Sequence, residues 1–171
     1  EEADAQNLPF PDESFDVVAC QFGVMFFPDR GRSYSEVARV LKPGGRYVFN
    51  VWESMEHNAF AKIAQEVVSE FFPDDPPGFY RVPFSYHDLA HITGSLDAAG
   101  FSSVNAVAVD VVSQIPSAAE FATGLVFGNP LVEEVNDRGG DPQALCLALG
   151  NSLEEKLGPS MSLRVLVLDA C

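Results

Sequence analysis

The side chains of this 171-residue chain best suited by type and spacing to do chemistry are its histidines, its cysteines and one short uncharged turn. His57, His87 and His91 ordinarily titrate near neutrality, so each is a candidate proton carrier. His57 follows Trp52 closely and is the candidate general base. His87 and His91 lie four apart, a spacing that brings two imidazoles onto one helix face in metal sites. No third ligand of matching spacing accompanies them, and no metal site is expected. Cys20 stands just before Gln21 and Phe22; nothing near it in sequence would lower its pKa, so it reads as a small buried hydrophobe rather than a nucleophile. Cys20, Cys146 and Cys171 are odd in number, far apart and without a Cys-x-x-Cys pair. They describe reduced packing residues better than a disulfide frame.

Strand, loop, helix and strand must position these groups. Phe15 to Ala19 is a short apolar run of the kind shown by a strand covered on both faces. Tyr34, Val37, Ala38 and Leu41 follow the helical period, and Pro43, Gly44 and Gly45 stop that helix. Tyr47 to Trp52 is a second strand, and one helix between two such strands makes a parallel unit by default. In open α/β sheets ligands sit outside the carboxyl ends of the strands, which puts the candidate site at Cys20-Gln21-Phe22-Gly23 and beyond Trp52. Phe22 to Phe27 is nearly all apolar, which is unusual for such a loop, and reads as a buried helix entry or a pocket wall.

Further along, Asn58 is the expected cap of a helix with Phe60, Ile63, Ala64, Val67, Val68, Phe71 and Phe72 on its apolar stripe. Phe79 and Tyr80 lie in a proline-rich loop. Ser85 and Asp88 have capping-box spacing for a helix carrying Leu89, Ile92 and Leu96 and ended by Gly100. Val104 to Ile115 is strand. Ser117 with Glu120 begins another helix, which runs to about Gly128. Asp141-Pro142 opens a last helix with Leu145, Leu149, Leu153 and Leu157 in line, closed by Gly158-Pro159. Leu163 to Leu168 is the final strand.

The chain has 25 acidic and 10 basic residues and a formal charge of −15, which repels polyanions. Nucleic acid and acidic membranes are therefore disfavoured as partners. No apolar run is long enough to span a membrane, and neither a membrane span nor a signal peptide is expected. A cytoplasmic location is the expectation.

The words Asp4-Ala5-Gln6-Asn7-Leu8-Pro9-Phe10, Ser14-Phe15-Asp16-Val17-Val18 and Leu41-Lys42-Pro43-Gly44-Gly45 occur in an order that resembles the class I S-adenosylmethionine-dependent methyltransferases, in particular the ubiquinone and menaquinone C-methyltransferase branch. The resemblance is specific from Asp4 to Trp52 and topological beyond. It implies an α/β fold: the carboxyl-terminal half of a Rossmann-like doubly wound sheet of about four strands, with the last pair antiparallel, helices on both faces and a helical insertion before the final strand. The family's glycine-rich loop is absent and the chain begins at Glu1, so it reads as a single partial domain expected to bind cofactor weakly or not at all by itself. Its expected segments are 1–52 (cofactor side), 53–103 (helical, substrate side) and 104–171 (edge strands).

The resemblance further implies S-adenosylmethionine as cofactor and a small-molecule methyl acceptor. Asp4 would accept the adenine amino group, the backbone of Ala5 would meet a ring nitrogen, and Leu8 would cover the purine; a carboxylate is acceptor-only and the exocyclic amine donates. Cys20, Gln21 and Phe22 would face the methionine end, where a sulfonium favours carbonyls and aromatic faces. Met25, Phe26, Trp52, Phe79 and Tyr80 are the candidate walls of the acceptor pocket. Quinone-methylating relatives carry a polar or basic side chain opposite Val24-Met25-Phe26; the apolar segment here implies an apolar acceptor. Two alternatives stay open, a non-catalytic scaffold and the rear half of a nicotinamide-dependent dehydrogenase.

Overall fold

A computed structural model describes residues 2–171. β1 (Phe15–Gln21) leads through a short 3-10 turn, Val24–Phe26, to α1 (Arg30–Val40) and β2 (Leu41–Trp52). α2 (Ala59–Phe71), α3 (Leu89–Ala98) and β3 (Val104–Gln114) follow. α4 (Ala118–Phe127), α5 (Leu131–Asp137), α6 (Pro142–Leu157) and β4 (Ser160–Ala170) complete the chain. The sheet order is β1-β2-β4-β3, with β1 parallel and β4 antiparallel to β2. This is the mixed α/β arrangement that the resemblance implies, with the final strand antiparallel to β2.

The chain divides into two compact units. One takes the residues up to Glu53, Phe84–Val109 and Val165–Cys171; the other takes Ser54–Pro83 and Asp110–Arg164. In the first, Tyr47, Phe49 and Val51 alternate along β2 and bury against Tyr34 and Val37 of α1, Ile92 and Leu96 of α3, and Leu166 and Leu168 of β4. In the second, Ile63, Ala64 and Val67 of α2, Ala122 and Val126 of α4, and Leu145, Leu149 and Leu153 of α6 make a helical core. Leu145, Leu149 and Leu153 of the α6 stripe are fully enclosed, while Leu157 at the helix end is half-buried.

Several local expectations are corrected. β1 is not covered on both faces: Val18 and Cys20 pack on the core, whereas Val17 is 55 % exposed and Ala19 faces solvent. Its apolar run reflects β-branched preference more than double burial. Leu41 already pairs with Phe15 as strand, so Lys42 to Gly45 form a bulge within β2 and not a loop after the helix. Asn58 holds the N-cap position of α2 but makes no capping bond with its side chain. The cap of α3 is Asp88, which accepts from the amides of Ala90 and His91, so Ser85 and His87 precede the helix. Ser117 and Asp141 cap α4 and α6 as expected, accepting from Glu120 N and Gln143 N. α5, seven residues long, is too short to show a period, and the sequence gives no sign of it.

Among the described residues, no helix is long and apolar enough to cross a membrane. No group of three or more His, Cys, Asp or Glu among them could hold a metal.

Candidate functional site

The first unit brings the carboxyl ends of β1 and β2 side by side, with Gln21 opposite Asn50. At this edge Phe22 holds a left-handed backbone conformation, φ +51°, uncommon for a bulky residue. Its amide donates to Asn50 Oδ1 at 3.3 Å, and its ring stacks on Trp52 with centroids 4.5 Å apart. Trp52 in turn stacks on Phe84 at 5.6 Å. Backbone strain of this kind persists where surroundings fix it, and it is concentrated at ligand-binding turns. Beside the turn, Ala19, Cys20, Gln21, Val48, Phe49, Asn50 and Val167 line a cavity of about 440 Å³. A roomier hollow of about 510 Å³, lined by Asp12, Lys42, Gly100 and Cys171 among others, lies at the opposite ends of the same strands, away from the edge where such sheets carry ligands.

The loop before β1 is tied to α1. Gln6 N and Nε2 both donate to Oδ1 of Asp4, at 2.9 and 3.3 Å, and the carboxylate is held below its ordinary range by that backbone bond first and the side-chain bond second. Gln6 Oε1 accepts from Asp29 N, and its backbone oxygen accepts from Arg32 Nε. One turn on, Glu36 accepts from Leu8 N at 2.8 Å, and Arg39 donates to the carbonyls of Leu8 and Phe10 and to Glu36 and Asp12. Glu36 and Arg39 therefore fasten residues 8–12 onto the helix. Neither stood out in the sequence, because their partners are some thirty residues away; their i, i+3 spacing was the one available hint.

The bond from Arg39, and after it the amide of Leu8, pulls the Glu36 carboxyl down from 4.5 to about 2. A carboxyl depressed by folding adds stability above its unfolded pKa and loses it as pH falls towards the folded value. Glu36 thus contributes fully above about pH 4.5 and progressively less down to about pH 2. Acid unfolding of the wild type and of Glu36→Gln, followed by circular dichroism, is expected to show the wild-type advantage shrinking through that window. An advantage that stays constant would contradict the assignment.

Among the residues singled out from sequence, Asp4, Gln21 and Phe26 are exposed, and Ala5, Leu8, Cys20, Phe22 and Trp52 are half-buried, all in the first unit. Cys20 packs beside Tyr47, whose hydroxyl is pushed far up by burial and then by that thiol. Met25 is fully enclosed in the core and so is no open pocket wall. His57, Phe79 and Tyr80 belong to the second unit. There His57 is exposed and meets Ser54 Oγ at 3.1 Å, while Tyr80 is a buried residue donating to Leu125 O.

Comparison with known proteins bears on the same stretch. Residues 1–49 match the family model described as "Methyltransferase domain". The chain is 33 % identical over 111 residues to a demethylmenaquinone methyltransferase of Mycobacterium sp. (strain KMS), covering 59 % of this chain and 48 % of that protein. It is 29 % identical over 120 residues to the ubiquinone/menaquinone biosynthesis C-methyltransferase UbiE of Pectobacterium carotovorum, covering 61 % and 45 %. The chain spans about half the length of these curated relatives. Among solved structures, the YcgJ protein of Bacillus subtilis superposes with a TM-score of 0.58 at 18 % identity, covering 99 % of this chain and 69 % of that one, a likeness of fold.

Proposed function

We propose that this chain, whose residues 1–49 match the methyltransferase domain model, is part of a class I S-adenosylmethionine-dependent methyltransferase and serves methyl transfer from S-adenosylmethionine to a small, apolar molecule. The observation that carries this reading is the loop from Asp4 to Leu8, fastened onto α1 in the same unit as the strained Phe22 turn and the carboxyl ends of β1 and β2. Both bonds from Gln6 fall on Oδ1 of Asp4 and hold the carboxylate ionised, which leaves Oδ2 to accept the adenine amine. Ala5 offers its backbone to the ring and Leu8 an apolar cover. The residues present therefore suit the nucleoside end of the group.

The cofactor supplies an electrophilic methyl on a sulfonium. Gln21 and Phe22 present amide oxygen and aromatic surface without a repelling cation. Phe26 and Trp52 wall the acceptor. Their part is alignment: holding donor and acceptor in line near van der Waals contact and keeping water out. The names of the relatives suggest a quinone-type ring as acceptor, and of Val24, Met25 and Phe26 only the exposed Phe26 is placed to meet it.

The test is nuclear magnetic resonance titration of S-adenosylhomocysteine into the wild type and Asp4→Ala. The expected result is binding that perturbs Ala5 and Leu8 and weakens by about tenfold or more in the variant, the loss of one charge-assisted hydrogen bond. Binding that is indifferent to Asp4 would overturn the proposal.

A further inference from the structure

Glu53 follows Trp52 directly at the carboxyl end of β2, the edge at which such sheets carry ligands. Its side chain is 14 % exposed, and a carboxylate oxygen lies 3.7 Å from Nδ1 of His87, whose side chain is 39 % exposed. His87 comes between Phe84, which stacks on Trp52, and Asp88, which caps α3. The pair thus belongs to the same unit as the Phe22–Trp52–Phe84 row, with Glu53 next to Trp52 and His87 three residues after Phe84 in the chain. The other histidines differ: His91 meets the ring of Tyr86 edge-on at 5.9 Å, and His57 belongs to the other unit.

We propose that His87, oriented by Glu53, receives the proton released when a methyl acceptor bearing a hydroxyl or an acidified carbon is alkylated; this deepens the methyl-transfer reading and rests on it. At 3.7 Å the carboxylate acts on His87 as a nearby charge rather than as a hydrogen-bond acceptor, and that charge favours the proton on Nδ1 and leaves the Nε2 lone pair as the base. The acceptor's electron pair forms the new bond to the methyl carbon, and the carbon–sulfur bond breaks with its pair returning to sulfur as a neutral thioether. The acceptor's proton passes to His87 Nε2. The positive charge of the sulfonium reappears as an imidazolium, against which Glu53 is already set. Glu53 acts only through His87 and is its positioning residue. The substrate class that needs this device is one with a proton to lose on methylation, in contrast to a tertiary amine or thioether.

The experiment is nitrogen-15 resonance of the imidazoles in the full chain, with diethyl pyrocarbonate labelling of the three histidines in mildly alkaline buffer read by mass spectrometry. Neutral His87 is expected as the Nδ1–H tautomer, against the ordinary preference for Nε2–H. Glu53→Gln is expected to slow its carbethoxylation about threefold while His91 keeps its rate, and Glu53→Asp to restore most of it. An Nε2–H tautomer in the wild type, which needs no variant to fold, or a His87 rate indifferent to Glu53, overturns the assignment. Calorimetry with S-adenosylhomocysteine on the same samples and on Asp4→Ala separates the failures. Ligand binding with an Nε2–H His87 removes this proton role and leaves methyl transfer standing; ligand binding that is indifferent to Asp4→Ala, even with an Nδ1–H His87, removes the methyl-transfer reading and this role with it.

Discussion

Asn58→Leu is expected to destabilise the second unit by about 3 kcal/mol or more, since it strands two or more buried backbone groups at roughly 1–3 kcal/mol each. Asn58 is fully buried, and its amide bridges distant chain: Nδ2 donates to the carbonyls of Ser54 and Arg164, and Oδ1 accepts from Arg164 N at 3.0 Å. Leucine keeps the volume and offers no partner to the Arg164 amide and carbonyl. Asn58→Asp keeps an acceptor for Arg164 N but turns a donor into a charge facing two carbonyl oxygens, so it is expected to lose nearly as much. Urea denaturation followed by circular dichroism reads both. A lowered midpoint with unchanged slope is the expected form, and a loss under about 1 kcal/mol would mean that water replaces the amide.

Asn58 also shows where a sequence stops being legible. An asparagine before an apolar periodic stretch reads as a cap, and α2 does begin at the next residue. Besides one bond to the nearby Ser54 carbonyl, however, its side chain is engaged with Arg164, more than a hundred residues away, which local pattern cannot report. The same limit separates the two halves of the site. Asp4, Leu8 and Phe22 could be singled out because they fall in a contiguous run of recognisable words. Glu36, Arg39, Glu53 and His87 act across distance, and each looks alone like an ordinary surface charge. His57 drew attention by being near Trp52 in sequence, yet His87, more than thirty residues beyond Trp52, is the histidine that stands against Glu53. Strands and long helices were readable because burial imposes a period on them. α5 and the true start of α3 were not, since the first is short and Ser85 and Asp88 offer equally good caps by composition.

The Leu-Lys-Pro-Gly-Gly word makes the second large prediction, because its two glycines are needed for different reasons. β1 pairs Phe15 with Leu41 and then Val17 with Arg46, so the residues between Leu41 and Arg46 must be gathered into a bulge before the register resumes. Gly44 turns this bulge at φ +77° with nothing within 4 Å of where a Cβ would stand, so Gly44→Ala is expected to cost only the conformational penalty, about 1 kcal/mol. A Cβ on Gly45 would lie 2.9 Å from Lys42 O and 3.2 Å from Asp16 O, both backbone atoms, and 3.1 Å from Leu41 Cδ2. Those oxygens cannot swing aside as a side chain would. Gly45→Ala is therefore expected to cost about 2 kcal/mol and to push β2 away from β1. Gly94, inside α3 with open space around it, is the control: Gly94→Ala should stabilise by about 0.5–1 kcal/mol. Denaturation midpoints of the three variants give the order, and amide exchange across the Val18–Tyr47 and Cys20–Phe49 pairs locates the damage. Faster exchange there in Gly45→Ala alone would tie the word to the parallel pair that carries Gln21 and Phe22 to the ligand edge. Equal losses at Gly44 and Gly45 would instead mean that the bulge yields, and that its glycines matter only for their freedom of rotation.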